Sequence, residues 1–405
     1  MQEILLLHVT GADRPGLTAK LTGVLGEHGI QILDMNQTVI HSSLLMGLMV
    51  KVNKGGDDVL KDLLFAAHHM GLQVRMTPVD DAEYDAWVGR QGKPRYILTL
   101  LARQIQAGYV SLVATILAEQ GMNIDIITRL SGRPPREETS GHSRACMEFS
   151  VRGAPKDEAA LRAALMQATQ QHPIDISWQK DNVYRRVRRL VAFDMDSTLI
   201  MHEVIDELAK EAGAGEQVSR ITEAAMRGEI DFDESLRRRV STLKGLKADV
   251  LEKVAQRLQL TEGAQRLVST LRGFGYKTAI ISGGFTYFGE SLKKRLGIDY
   301  VYANDLEIVN GELTGQVHGA IVNAGRKAEI LKEIAVREGI ALEQTIAVGD
   351  GANDLPMLAA AGLGIAFRAK PVVAATARHR ISHLGLDGIL YLIGVRDREL
   401  LDAVK

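Results

Sequence analysis

Val191-Ala192-Phe193-Asp194-Met195-Asp196-Ser197-Thr198 starts as an apolar strand and ends in two carboxylates and two hydroxyls. Taken alone, two aspartates two residues apart are an ordinary turn. Two later stretches follow the same plan: Ile280-Ile281-Ser282-Gly283-Gly284, and Ala347-Val348-Gly349-Asp350-Gly351-Ala352-Asn353-Asp354. From Leu190 onward, short apolar strands alternate with helical segments, which predicts an α/β domain built on a doubly wound parallel sheet. Such sheets bind ligands at the carboxyl ends of their strands, where all three polar endings fall.

The residue types point to phosphate chemistry. A hydroxyl followed by two glycines, Ser282-Gly283-Gly284, brings backbone N–H groups close to an anion. Lys327, in Gly325-Arg326-Lys327, is a cation at the start of a helix, where solvated surface is the default reading. Clustered carboxylates without His or Cys partners select a hard, oxygen-preferring cation, and Mg2+ is the usual one beside phosphate. A carboxylate can attack phosphorus to form an acyl phosphate, provided that a metal and a lysine offset the repulsion between the two anions.

Asp194-Met-Asp196-Ser-Thr198, Ser282-Gly-Gly, Lys327 and Gly349-Asp350-Gly-Ala-Asn353-Asp354 resemble the four motifs of the haloacid dehalogenase (HAD) superfamily of phosphotransferases. Within it, the segments Phe193–Glu207 and Ala225–Val240 resemble the phosphoserine phosphatase family. The resemblance implies a HAD-like domain over 186–405, with a helical cap at 202–271. It also implies that phosphoserine is hydrolysed to L-serine and phosphate, as the last step of serine biosynthesis. Asp194 would be the nucleophile and Asp196 the general acid and base. Mg2+ would be held by Asp194, the backbone carbonyl of Asp196, and Asp350, with Asp354 steering the metal shell. Ser282, Gly283 and Lys327 would hold the phosphoryl group, and Asn353 would help position it. In the cap, Glu203 would take the substrate ammonium and Arg239 its carboxylate, while Met226 and Phe232 would close an apolar lid. Spacing alone favours core packing for Met226 and Phe232. For Glu203 and Arg239 it favours a solvated helical face, since only one of Arg237, Arg238 and Arg239 needs to point inward.

The front of the chain is a repeat. A shift of 92 positions lays Gly16 on Gly108, Leu25 on Leu117, Glu27 on Glu119 and Gly29 on Gly121 without a gap. The first copy reads β-α-β-β-α-β, a compact ferredoxin-like α+β unit. The second copy carries a polar insertion from Gly132 to His142. The copies resemble two ACT domains, expected over 1–84 and 94–182, with a polar linker at Asp80–Lys93. In the first copy, Gly11, Asp13 and Gly16 form the candidate amino-acid effector loop, with L-serine as a possible ligand, although an N-cap explains Asp13 equally well. Arg103 and Ile105 stand at the Gly11 and Asp13 positions of the second copy, so a structural role is expected there. The resemblance also implies a homodimer.

Length and charge bound the rest. The chain has 405 residues, room for two or three domains, and its 49 basic and 50 acidic side chains argue against a dedicated nucleic-acid binder. The arginines of Tyr184-Arg-Arg-Val-Arg-Arg189 are read as a solvated entry to a strand. One cysteine, Cys146, excludes an internal disulfide framework. No stretch approaches the roughly 18 apolar residues of a membrane span, and a soluble cytoplasmic protein is expected. Two other readings are weighed: phosphoryl chemistry on a different small phosphomonoester, or an amino-acid-sensing regulator with a vestigial catalytic half. The complete set Asp194, Asp196, Lys327 and Asp350 argues against the second.

Overall fold

The computed structural model describes residues 2–53, 57–90, 92–133 and 143–402. Most of the insertion in the second repeat, 134–142, lies outside them. The chain forms two compact units, Met1–Lys93 and Pro94–Lys405.

The first unit contains β1 (Gln2–Ala12), α1 (Leu17–Glu27), β2 (Gln31–Ile40), β3 (Ser43–Asn53), α2 (Asp57–His69) and β4 (Gln73–Val79). Its antiparallel sheet has the order β2-β3-β1-β4. Leu5, Leu7 and Val9 of β1 pack with Leu17, Leu21 and Leu25 of α1 in its core. The expected linker contains a further helix, α3 (Asp81–Val88), because the Asp80 carboxylate caps it by accepting from the Glu83 N–H.

The second unit opens with the other repeat: β5 (Arg95–Ala102), α4 (Ala107–Glu119), β6 (Asn123–Arg129), β7 (Ala145–Arg152), α5 (Glu158–Gln171) and β8 (Ile174–Lys180), in the order β6-β7-β5-β8. A one-turn helix, α6 (Val183–Arg186), leads to β9 (Leu190–Phe193). Four helices follow: α7 (Val204–Glu211), α8 (Gly215–Met226), α9 (Phe232–Ser241) and α10 (Asp249–Arg257). Next come α11 (Ala264–Gly273), β10 (Lys277–Phe285), α12 (Thr286–Leu296), β11 (Tyr300–Val309), β12 (Glu312–His318), α13 (Ala324–Arg337), β13 (Thr345–Gly349), α14 (Leu355–Ala360), β14 (Leu363–Phe367), α15 (Pro371–Thr376) and β15 (His379–Ile381).

These seven strands make one sheet, β12-β11-β10-β9-β13-β14-β15, parallel except for β12. The chain builds outward from β9 on one side through β10 and β11, then returns to build β13, β14 and β15 on the other. The switch point, where loops diverge and leave a crevice, is thus at the ends of β9, β10 and β13. The hairpin turn Asn310-Gly311 has φ of 52° and 80°, as the Asn-Gly pair predicts. Within the charged block expected as cap, α7–α10 pack on one another, and α11 packs against β10 and leads directly into it.

The second repeat is continuous with the sheet domain. Ile174, Ile176 and Trp178 of β8 face their own core, while Asp175, Ser177 and Gln179 on the opposite face are also buried. Asp175 accepts from the Ser382 and His383 N–H groups at 2.9 Å each. Ser177 Oγ lies 2.9 Å from His379 Nδ1, and the Gln179 amide donates to Leu392 O at 3.0 Å. The arginine run is not a solvated entry throughout. Arg185 is buried in an ion pair with Glu148, and Arg188 is buried with donations to the Glu343 and Thr345 carbonyls. Among the described residues no helix is long and apolar enough to cross a membrane.

Burial, then the Arg188, Arg162 and Arg378 charges, hold the His379 imidazole down to about 3. An unfolded histidine titrates at about pH 6.5, so the unfolded chain takes up this proton first as the pH falls. The contribution of neutral His379 is therefore complete above that pH and is lost as the pH falls towards 3. Replacing it by His379→Gln should flatten the fall in stability between pH 6.5 and 5 by about 2 kcal/mol relative to the parent, read from urea midpoints. Parallel profiles would show that the imidazole is not held neutral.

Candidate active site

Strand β9 carries Asp194 to the switch point at its end. The Asp194 N–H donates to Val348 O at 2.8 Å, and its Oδ1 accepts from the Met195 N–H at 2.7 Å. The chain then turns sharply, with Ser197 at φ 54°, a left-handed value unusual for a side chain other than glycine. The turn brings Ser197 Oγ to donate to Glu203 Oε1 at 2.9 Å and Thr198 Oγ1 to Asp350 Oδ1 at 3.3 Å.

Lys327 is fully buried on the first turn of α13, against the solvated default. Its ammonium lies 2.9 Å from Asp194 Oδ2 and 2.7 Å from Asp354 Oδ1. Burial disfavours its charge, but the two carboxylates outweigh that and raise its affinity for the proton. Asp354 Oδ2 accepts from the Gly351 N–H at 3.0 Å, so both of its oxygens are engaged. A Cβ on Gly349 would come 2.3 Å from the Asp354 side chain, so only glycine lets that carboxylate approach the strand.

Oxygens of Asp194, Asp350 and Asp354 lie within 4.8 Å of one another, and all three residues are buried. Burial, then repulsion from Asp194 and Asp354, pushes Asp350 up to about 7; burial and Asp194 push Asp354 up to about 6. Three carboxylates face one buried ammonium, with the exposed Lys370 ammonium 4.0 Å from Asp350. A hard divalent cation fits that donor set and its surplus negative charge. The Asp196 carboxylate is outside the cluster. It accepts from the Val204 N–H at 3.1 Å, and burial, Glu203 and Asp194 raise its proton affinity well above that of an ordinary carboxyl.

Strand β10 supplies the opposite wall. Ser282 is buried and accepts from the Gly284 N–H at 2.9 Å. A Cβ on Gly284 would lie 2.5 Å from Asp196 Oδ2, and one on Gly283 would lie 2.7 Å from the Phe232 ring. Phe232 thus lies directly over the glycine loop. A second contact from α9 joins it, as the Asn323 amide donates to Asp233 at 3.2 Å. Arg239 turns inward while Arg237 and Arg238 stay exposed. Burial lowers its proton affinity, against the fields of Glu203, Asp206 and Asp196, which it faces. Asn353 sits in the Gly351 turn, where its side chain approaches the Gly351 backbone. Met226 is 72% exposed at the end of α8, neither core nor lid in this arrangement.

Sequence reading did not single out Asn304. Its buried amide donates to the Gly283 carbonyl at 2.8 Å and its oxygen accepts from the Val322 N–H, fixing the glycine loop. Its place inside β11 offers no motif. In the first unit, Gly11 meets a packing constraint, since a Cβ there would lie 2.5 Å from the Leu72 side chain. Asp13 is exposed, and the N-cap of α1 is Gly16, at φ 90°, rather than Asp13.

Comparison with known proteins agrees with this geometry. Residues 191–359 match a family described as haloacid dehalogenase-like hydrolase, and residues 3–77 and 95–179 match ACT domains. The crystal structure of a HAD family hydrolase from Salmonella enterica serovar Typhi aligns with a TM-score of 0.64 at 33% identity, covering 74% of this chain and 99% of that one. The class is thus a HAD-type hydrolase preceded by two ACT domains. Phosphoserine phosphatase SerB2 of Mycobacterium tuberculosis is 42% identical over 398 residues, 98% of this chain and 94% of its own length. A phosphoserine phosphatase of Streptomyces coelicolor is 39% identical over 399 residues, 98% and 93% of the two chains. The chain belongs to the phosphoserine phosphatase family.

Replacing Lys327 by Met would leave two buried carboxylates without their ammonium. The variant should lose about 3–5 kcal/mol of stability at pH 8 in chelator-treated buffer, measured by urea unfolding. The loss should shrink as the pH falls and the carboxylates take up protons. An equal loss at every pH would mean that the ion pairs do not carry the effect.

Proposed function

We propose that the site hydrolyses O-phospho-L-serine to L-serine and phosphate through a phospho-aspartyl intermediate, the last step of serine biosynthesis. The observation that carries this reading is the convergence of Asp194, Asp350, Asp354 and Lys327 beside the Ser282 glycine loop. Asp194 Oδ attacks phosphorus as the bond to the seryl oxygen breaks, and Asp196 gives its proton to that departing oxygen. The raised proton affinity of Asp196 suits it to begin as the acid. A water then attacks the acyl phosphate, Asp196 takes the water proton, and cleavage of the bond to Asp194 releases phosphate. Lys327, the Ser282 hydroxyl and the Gly283 N–H hold the phosphoryl oxygens, and Asn353 keeps the group in place.

Asp194, the Asp196 carbonyl and Asp350 would hold Mg2+, which when bound offsets the negative charge gathered at phosphorus. Asp354, engaged by Lys327 and Gly351, orients that shell instead of filling a ligand position. Glu203 and Arg239 supply the opposite charges that an ammonium and a carboxylate need, and Phe232 covers the glycine loop. Met226 would join that lid only if α8 moved inward.

For the first ACT domain we infer amino-acid binding, with L-serine as candidate, at Gly11, Asp13 and Gly16. The α1 N-terminus has no side-chain cap, which leaves its amides for a carboxylate. A homodimer is supported by the edge strands β2 and β6, which expose Ile32, Val39, Ile40, Ile126 and Ile127. The domains are taken as 1–84, 94–182 and 186–405, in a cytoplasmic enzyme.

Asp194→Asn should lower phosphate release from phosphoserine by on the order of a thousandfold or more while circular dichroism stays unchanged; substantial residual turnover would remove the nucleophile assignment. Chelation should abolish turnover in the parent and added Mg2+ restore it, and persistence of activity in chelator would remove the metal. Glu203→Gln should cost about 10–100-fold in kcat/KM for phosphoserine, but little for a phosphomonoester lacking the ammonium. An equal loss for both substrates would contradict the ammonium contact.

A further inference from the structure

Arg103 stands where the first ACT domain has Gly11, at the head of the loop that would take an effector. In the second domain its guanidinium reaches the catalytic domain. Nη1 and Nη2 donate to Glu262 Oε1 and Oε2 at 2.7 Å each, a two-pronged pair with both side chains half-buried. Its backbone is tied as well, because Ser143 Oγ donates to Arg103 O at 3.0 Å. Planar, bidentate pairs of this kind are stronger and more directional than ordinary surface ion pairs.

Glu262 lies at the foot of the cap. The chain enters the cap through Leu199-Ile200-Met201 and leaves through Gln259-Leu260-Thr261. These segments form a short two-chain stalk: Ile200 pairs with Leu260, Met201 N–H donates to Gln259 O at 3.0 Å, and Thr261 N–H donates to Leu199 O at 2.9 Å. Glu262 is the next residue, and Leu199 belongs to the turn that carries Asp196, Ser197 and Thr198. On its other side Glu262 Oε2 accepts from Arg368 at 2.9 Å. Two residues beyond Arg368, the Lys370 N–H donates to the Asp350 carbonyl at 3.1 Å. Hydrogen bonds from Arg103, opposed by burial and reinforced by the charges of Arg103 and Arg368, hold the Glu262 carboxyl down to about 2, so it stays ionised at any working pH.

We propose that Arg103 is a positioning residue for the phosphatase reaction: through Glu262 it anchors the cap stalk, so the second ACT domain sets how the cap docks over the substrate. The effector-type loop of this domain is thereby committed to the catalytic domain. This rests on the phosphatase reading, because the cap residues Glu203 and Arg239 lie beyond the stalk and their alignment governs the grip on phosphoserine.

The test is steady-state kinetics of the full chain with phosphoserine and Mg2+. Arg103→Ala should raise KM about fivefold with kcat within twofold of the parent, since the cap docks less well while the chemistry is intact. Arg103→Lys, which keeps the charge but not the fork, should recover part of that rise. Glu262→Gln, which also weakens the Arg368 contact, should raise KM at least as much as Arg103→Ala, and the double variant should be no worse than Glu262→Gln alone. KM is independent of how much enzyme is folded, so a purely structural role would lower apparent kcat and leave KM alone. That outcome, an unchanged KM, or additive effects in the double variant would overturn the proposal. If Arg103→Ala does not fold, Glu262→Gln gives the same reading with Arg103 in place. A parent that releases no phosphate from phosphoserine would overturn the phosphatase reading and this proposal with it, whereas an active parent with unaltered variants would overturn the positioning role alone.

Discussion

The buried ammonium of Lys327, between Asp194 and Asp354, is the contact on which the rest of the site depends. Carboxylates at the ends of β9 and β13 would repel one another in a buried crevice, and removing a charge from water is costly unless it is paired. Lysine on the first turn of α13 answers part of that repulsion and ties a helix to two strands. The remaining surplus of negative charge is what makes the crevice receptive to a divalent cation. Burial first, and then the neighbouring carboxylates, raise the proton affinities of Asp196, Asp350 and Asp354.

Around that centre, close approach replaces bulk. Gly349 lets Asp354 lie against β13, Gly284 lets Asp196 reach β10, and Gly283 makes room for Phe232. Asn304, from a neighbouring strand, holds the glycine loop by the Gly283 and Gly284 carbonyl groups. The cap meets this region through α9, by the Phe232 ring over the glycine loop and by the Asp233 carboxylate on the amide of Asn323, the N-cap of α13. The sheet and α13 thus position Asp194, Ser282 and Lys327, while Glu203 stands at the start of α7 and Arg239 on α9.

The second ACT domain packs with the catalytic domain as one compact unit. Leu101, Leu130 and Cys146 pack into the same apolar cluster as Val191 and Phe193 of β9. The alternation of Ile174-Asp175-Ile176-Ser177-Trp178-Gln179 reads as a strand with one wet face, yet that polar face is buried and hydrogen-bonded to the segments around β15. Arg185 and Arg188 follow the same logic, their charges taken up by Glu148 and by backbone carbonyls. Polar residues that look solvated in one dimension become the specific part of a domain joint.

Local sequence determined a great deal here: the paired strand endings, the repeat, the Asn-Gly hairpin and the motif residues Asp194, Asp196, Ser282, Lys327, Asp350 and Asp354 were all legible. Each depends on short-range rules of periodicity and turn chemistry, or on residue types that phosphate and metal require. Tertiary structure alone decided that Lys327 is buried instead of solvated, that Asn304 braces the glycine loop, and that Arg103 grips Glu262 across 159 positions of chain, while Arg239 was singled out by resemblance and not by spacing. Those outcomes depend on what lies opposite a side chain once distant segments meet. A polar residue carries the same local signature whether it will face water or a buried partner, so nothing in its neighbours along the chain distinguishes the two.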